Sequence, residues 1–408
     1  MPDRVKIVFI GVGGYGGHNL GGLLENGDTS QYEIVGAVDP FAKTSPHYQW
    51  LLNNGIPLYN LPEEFYANNN ADLAVISTPI HLHKEQALTA LKNGSNVICE
   101  KPIVPLLQQA DELRRGVLEA DRQLAVGYQW SFCRPILDFK RDILSGKLGK
   151  PLHLKSYIAW QRFDNYYQSG GWKGRLQDDA GNWILDSVST NATAHYLHNI
   201  FFMMGERLDS SRMPSSASGT LLRAKDIESF DTIFLAGDFD NGADFLFIST
   251  HSGDVPHEPA FSYEFENAVV TLNEEEGSEI VATFRDGSTH SYGNPFTSFS
   301  LAEKLVNMIG LLYDGEGPGN TCPLDAALPH LLVSNALFDQ AEIKNFPAEL
   351  VFRTEDPAGS LVKGLSEQCD RCFAEQKLPS QLGFSWAEPE TVLSLNDYKA
   401  FSGARLLK

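Results

Sequence analysis

The 408-residue chain holds only five cysteines, too few to frame so long a sequence with disulfides. No apolar run approaches the ~18 residues that a membrane-spanning helix needs. Cations are scarce. Lys and Arg number 32 against 52 Asp and Glu, a formal charge of -20, and no basic run offsets the deficit. A surface of that sign repels polyanions, so no nucleic-acid partner is expected. Met1-Pro2-Asp3-Arg4 leads straight into a strand-like segment without a secretory h-region or cleavage site, and a cytoplasmic location is expected. Hydrophobic residues at 42% and aromatics at 11% are enough for a sizeable core, and the length suits two domains.

Short apolar runs alternate with amphipathic stretches through the first third. Strands are expected at 5–10 (VKIVFI), 33–38, 73–77, 96–99 and 124–127, with helices after 14, over 83–93 and over 106–120. That alternation implies βαβ units and a doubly wound parallel sheet. After about residue 130 the pattern changes. A long run at 152–162 and strands near 230–239, 244–250, 260–265, 268–273 and 279–285 are punctuated by Asn241-Gly242 and Asp286-Gly287, both hairpin signals. The expected fold is α/β: an N-terminal Rossmann domain over 1–130, then a domain with an open, mainly antiparallel sheet over 131–345. Residues 346–408 form an extension of unclear placement. Helices are expected over 191–204, 298–313 and 324–341. The Ser-rich stretch 209–219 reads as a mobile loop, and the acidic run Glu274–Glu276 as solvated surface.

Gly11-Val12-Gly13-Gly14-Tyr15-Gly16 fits G-x-G-x-x-G, directly after a strand and before a helix. Gly11 permits a tight turn, Gly13 a close backbone approach to a pyrophosphate, and Gly16 close packing of helix on strand. The helix start offers free N–H groups and positive dipole. Asp39, ahead of Pro40, closes the second strand, where a carboxylate accepts from a ribose diol and repels a 2′-phosphate. NAD is therefore favoured over NADP. Ser77-Thr78-Pro79 and Glu100-Lys101-Pro102 close the next strands, at the sheet edge that faces the ligand crevice. A lysine there can hold a substrate hydroxyl and pass a proton.

Together with His83, the run ALKNGSNVICEKP at 90–102 and Val126-Gly127-Tyr128, these residues resemble the Gfo/Idh/MocA family, the glucose-fructose oxidoreductase and inositol dehydrogenase group. The resemblance covers about residues 5–205. It implies hydride transfer between a sugar-like or polyol carbon and NAD(P), Lys101 as the catalytic lysine, Gln129 near the cofactor, and an open second-domain sheet that joins a homodimer or homotetramer. The family also has a carboxylate-then-histidine segment in its second domain. Aligned from Gly205, Asn191 takes the carboxylate position, His195 the histidine and His198 a following aspartate. Aligned from the other end, Asp186 is the carboxylate. Asn191, His195 and His198 are spaced to share one helical face, and histidine titrates in the right range to remove a hydroxyl proton. No metal site is expected.

Gln161 and Arg162 end a second-domain strand, and Tyr166, Trp172 and Lys173 follow on a polar, aromatic loop suited to a carbohydrate ring. Cys369 and Cys372 are read as two thiols one helical turn apart. Two rival functions remain: a redox-assisted glycoside hydrolase or lyase that keeps NAD bound, and a non-catalytic NAD-binding sensor.

Overall fold

The computed structural model describes residues 3–273 and 278–407. The chain divides into two compact units. One comprises Met1–Leu137, Leu208–Ser210 and Pro295–Leu328; the other comprises Asp138–Arg207, Ser211–Asn294 and Pro329–Lys408.

In the first unit, β1 (Val5–Ile10), β2 (Tyr32–Val38), β3 (Leu58–Tyr59), β4 (Leu73–Ile76), β5 (Asn96–Cys99) and β6 (Leu124–Val126) form one sheet in the order β3-β2-β1-β4-β5-β6. Every pairing is parallel. β4 and β6 are buried at consecutive positions, as strands covered on both faces must be. The order reverses between β1 and β4, which opens a crevice at their carboxyl ends. This is the expected Rossmann sheet.

The first unit reaches beyond the expected 1–130 boundary. Helix Ser298–Tyr313 buries Ala302, Leu305, Met308 and Ile309, and Gly22 of helix Gly14–Asn26 would bring a Cβ within 3.6 Å of Ala302. Val126 donates its N–H to the Cys322 carbonyl (2.8 Å). The return of residues 295–328 to the first unit is a long-range packing event with no local sequence signal.

The second unit holds β7 (Pro151–Ala159), β8 (Ser216–Arg223), β9 (Thr232–Asp238), β10 (Asp244–Thr250), β11 (His257–Phe265), β12 (Ala268–Asn273), β13 (Ile280–Phe284), β14 (Thr289–Gly293) and β15 (Ile343–Asn345). Their order is β14-β13-β12-β11-β7-β10-β9-β8-β15. Only β7 with β10 and β8 with β15 pair in parallel. Gly242 and Gly287 take φ of +91° and +86° in the two foreseen hairpins. Phe245 meets Phe201 of helix Ala194–Met203 on one face of the sheet, and Phe261, Tyr263 and Phe265 surround Phe139 on the same face.

The other face is covered by the C-terminal residues. After β16 (Val351–Glu355) and β17 (Ala358–Val362), helix Leu365–Glu375 lays Leu365, Cys369 and Cys372 on Tyr157, Leu246 and Ile248, and Trp386 joins them. The segment with no expected place is thus the second cover of the sheet. β18 (Thr391–Leu393) then pairs with β8. Both helix cysteines are fully buried. Burial pushes the Cys372 thiol up to about 12 and Cys369 well above its usual range, so neither is a ready nucleophile.

Three expectations are corrected. The Ser-rich stretch becomes β8 from Ser216 onward, because alternate residues turn into the core. The second-domain helix starts at Ala194, leaving Asn191 in the preceding turn. The expected boundary of the second domain at 131–345 gives way to the two units above. Glu274–Glu276 lie outside the described residues.

Candidate active site

The glycine turn of the first unit admits no other residue at two of its positions. Gly11 sits at φ +87°, and a Cβ on it would meet the Ser77 carbonyl oxygen at 2.6 Å. A Cβ on Gly16 would meet the Gly11 carbonyl oxygen at 2.2 Å. Helix Gly14–Asn26 therefore starts hard against β1, with its first N–H groups open at the crevice. Asp39 holds this turn. Its Oδ2 accepts from the N–H of Val12 (3.0 Å) and Gly13 (3.2 Å), and its Oδ1 from Phe41 (2.8 Å). Pro40 beside it is exposed.

His83 ties the next two strand ends together. Its ring nitrogens lie 2.9 Å from the Pro102 carbonyl and 2.8 Å from the Thr78 carbonyl. Burial lowers its pKa against the pull of those carbonyls and of Glu100. Lys101 follows β5, half-buried, with a cis bond to Pro102. Glu100 turns inward. Its Oε1 accepts from Asn19 (3.0 Å) and pairs with Lys304, whose ammonium also lies 5.0 Å from the Tyr15 ring centre. The Tyr15 hydroxyl donates to Gln129 (2.8 Å), at the head of the turn after β6. The first unit thus brings Gly11 to Gly16, Asp39, Ser77 to Pro79, His83, Glu100, Lys101 and Gln129 to one sheet edge.

In the second unit the two alternative carboxylate positions prove to be partners. Asn191 donates from Nδ2 to Asp186 Oδ1 (3.0 Å) and to the Tyr166 hydroxyl (2.9 Å). Asp186 Oδ2 accepts from the Gly174 N–H (2.5 Å). His195 is half-exposed at the start of its helix, whereas His198 is 1% exposed and stacked on Phe202. Burial, then His330 and Lys140, push His198 well below its usual range, so it stays neutral in the core. Arg162 and Lys173 lie 5.1 and 4.3 Å from the Tyr166 ring centre. Trp172 is half-buried beside Lys173, 5.9 Å from its ammonium. The Gln161 amide is engaged with the Gly253 carbonyl (2.9 Å).

Sequence reasoning missed Lys304, Asn19 and His251. Lys304 had a faint signal, a lone cation among the buried positions of an otherwise apolar helix. His251 sits at the end of β10, with Nδ1 2.8 Å from the Tyr167 hydroxyl. No group of three or more His, Cys, Asp or Glu placed to hold a metal ion occurs among the described residues. No helix among them is long and apolar enough to cross a membrane.

A family profile described as an oxidoreductase family with an NAD-binding Rossmann fold, GFO_IDH_MocA, matches residues 5–128. An uncharacterized oxidoreductase of Schizosaccharomyces pombe is 31% identical over 141 residues, 33% of this chain and 37% of that one. The 2,7-anhydro-N-acetylneuraminate hydratase of Mediterraneibacter gnavus is 27% identical, over 35% of this chain and 36% of the relative. The chain spans under two-fifths of the length of either. The WlbA dehydrogenase from Bordetella pertussis, solved with NADH and UDP-GlcNAcA, superposes with a TM-score of 0.67 at 20% identity, over 82% of this chain and 94% of that one. At that identity the likeness is one of fold.

Proposed function

We propose that the chain, whose residues 5–128 match the oxidoreductase family profile GFO_IDH_MocA, is an NAD-dependent oxidoreductase acting at a CH–OH carbon of a sugar-like or polyol substrate. One observation carries this most directly: the glycine turn, Asp39, Lys101 and Gln129 share the carboxyl edge of a parallel sheet at its switch point. The cradle fits a dinucleotide, since the space a Cβ would fill at Gly16 is closed by the Gly11 carbonyl while Gly14 faces open space at the helix start.

When bound, NAD would supply the hydride acceptor. The chain's own groups do the rest. The N–H groups at the start of helix Gly14–Asn26 hold pyrophosphate, and Asp39 takes the ribose hydroxyls and disfavours a 2′-phosphate. Lys101 holds and polarises the substrate oxygen. His195 removes the hydroxyl proton, with the Asp186–Asn191 pair setting the polar wall near it. His198, neutral and stacked on Phe202, serves packing rather than proton transfer. Tyr166, Trp172 and the cations beside them bind the substrate body.

The test is NADH absorbance with purified protein, NAD and a panel of sugars and polyols. Lys101→Ala and His195→Ala are each expected to lower kcat by about 100-fold or more. Full turnover in either variant would remove the role assigned to that residue. A second reading is favoured by the hydratase among the relatives: addition or elimination with NAD regenerated in each cycle. In that case product accumulates without NADH.

A further inference from the structure

Among the buried polar atoms of the second unit that meet no hydrogen-bond partner are Nε of Arg162 and Nε2 of His251. Arg162 follows β7 and His251 follows β10, and the Arg162 N–H donates to the His251 carbonyl (3.2 Å), so the two side chains leave adjacent strand ends. His251 is 2% exposed. Burial drives the Tyr167 pKa well up, and its hydroxyl lies 2.8 Å from His251 Nδ1. Where the hydroxyl donates, the hydrogen of the neutral ring is on Nε2. That atom is buried and meets no hydrogen-bond partner, and neither does Nε of Arg162. A buried polar group without a partner costs free energy that a ligand can recover.

The charges around these donors are unbalanced. Arg162 lies 5.7 and 5.1 Å from the ring centres of Trp160 and Tyr166, and Lys173 lies 4.3 Å from that of Tyr166. Lys173 donates to Ser169 (2.8 Å), and neither cation forms an ion pair among the described residues. The neighbouring carboxylate, Asp186, accepts from Gly174 and Asn191 instead. Lys225 is matched by Asp231 and donates to the Ser360 carbonyl (2.7 Å). In a chain with a net charge of -20, two cations that share a single nearby carboxylate, Asp186, need an explanation.

We propose that Arg162, Lys173 and His251 form an anion-binding subsite and that the substrate carries a carboxylate, so that it is a sugar acid rather than a neutral sugar. This rests on the reading of the same region as the substrate site. With the His251 hydrogen on Nε2, Arg162 and His251 supply two N–H donors from adjacent strand ends for the oxygens of a carboxylate. Burial first, then Arg162 and Lys225, hold His251 well below its usual pKa, so the ring is neutral. Arg162 and Lys173 against Asp186 leave one net positive charge, which answers a monoanion. A phosphate dianion would leave the site net negative.

The test titrates the full-length protein, with NAD present, against D-glucuronate, D-galacturonate and D-gluconate, their neutral parents and the parents' 6-phosphates. Binding is read by calorimetry and by the His251 imidazole NMR signals, and turnover by NADH. At least one acid is expected to bind ~10-fold or more tighter than its parent and its phosphate, with its His251 Nε2–H signal shifted. Arg162→Met is expected to weaken that acid ~10-fold or more, with Arg162→Lys recovering part of the loss and NAD affinity as the folding control. Equal binding of neutral parents, tighter binding of the phosphates, no binding of any acid, or indifference to Arg162→Met overturns the proposal. An acid that binds without redox turnover leaves the subsite standing and removes the dehydrogenase reading. NADH formed equally from neutral sugars does the reverse.

Discussion

Lys304 pairs with Glu100 inside the first unit, the lysine side chain 1% exposed and the carboxylate 9%. Burial, the largest single influence, would push the Lys304 pKa down, but the charge and hydrogen bond of Glu100 together with Tyr15 and Cys99 outweigh it and the ammonium ends raised. Asn19 donates to the same oxygen of Glu100, and its Nδ2 also reaches Ser77 Oγ (2.9 Å). The glycine-turn helix, β4 and β5 are thus joined by one buried polar network, one residue before Lys101.

Lys304→Met would strand the Glu100 carboxylate away from water. Breaking a buried pair from one side costs ~3–5 kcal/mol. Urea unfolding is expected to show that loss, and Lys304→Met with Glu100→Gln should recover much of it because the charge is gone. A single variant as stable as the native chain would mean that the pair does not hold the strand end.

The Rossmann half was legible because its signals are local. β1, the glycine turn and Asp39 lie within 35 residues (5 to 39), and each position has a steric or electrostatic reason that spacing reveals. The second unit was legible only where turn chemistry intervened, at Asn241-Gly242 and Asp286-Gly287. Contacts that close over long stretches of chain were not. Glu100 and Lys304 stand 204 positions apart. His251 follows β10 whereas Tyr167 lies in helix Asp164–Gln168, and the covering role of Leu365, Cys369 and Trp386 depends on a sheet face that no local periodicity announces. The pairing of Asp186 with Asn191, five positions apart in a non-helical turn, escaped a search built on helical spacing.

Asp39 ties cofactor choice to the shape of the glycine turn. Asp39→Asn, with its oxygen toward the Val12 and Gly13 N–H groups, removes the charge and the acceptor for the Phe41 N–H. The native chain is expected to favour NAD over NADP by ~100-fold in kcat/KM, and the variant by ~10-fold or less, as the repulsion of the 2′-phosphate disappears. Steady-state kinetics with both cofactors decide it. A native preference for NADP would refute the role given to this carboxylate.

Three buried histidines set an acid limit on stability. Burial lowers the pKa of His83, and of His198 and His251 well below the usual value. In the unfolded chain each titrates near ~6.5. Below that pH the unfolded state binds protons that the native state refuses. Stability is therefore fully present above ~6.5 and falls as the solution is acidified, by up to ~1.4 kcal/mol per pH unit for each histidine. His198→Gln removes one of the three. Its unfolding free energy, measured from pH 7 to pH 5 (a range of roughly two units), is expected to fall less steeply than that of the native chain. An unchanged slope would show that His198 is not held neutral.

The covered sheet face bears on assembly. A homodimer or homotetramer joined through the face of β7, β10, β9 and β8 would have to displace helix Leu365–Glu375 and Trp386, which is 9% exposed against Phe234 and Phe346 and donates to Gln368 (2.8 Å). The remaining strands of that face carry Thr271, Thr283, Thr289 and Ser291, all exposed and polar, around the part-buried Val269 and Val281, a small apolar area to drive association. Light scattering is therefore expected to give the mass of a single chain. Trp386→Ala should cost ~3–5 kcal/mol, because a large side chain leaves a cavity between the helix and the sheet. It should also favour self-association, because the loosened cover exposes Tyr157, Leu246 and Ile248. A native dimer that survives dilution, unaffected by Trp386→Ala, would place the contact away from this face and leave the C-terminal residues a purely stabilising part.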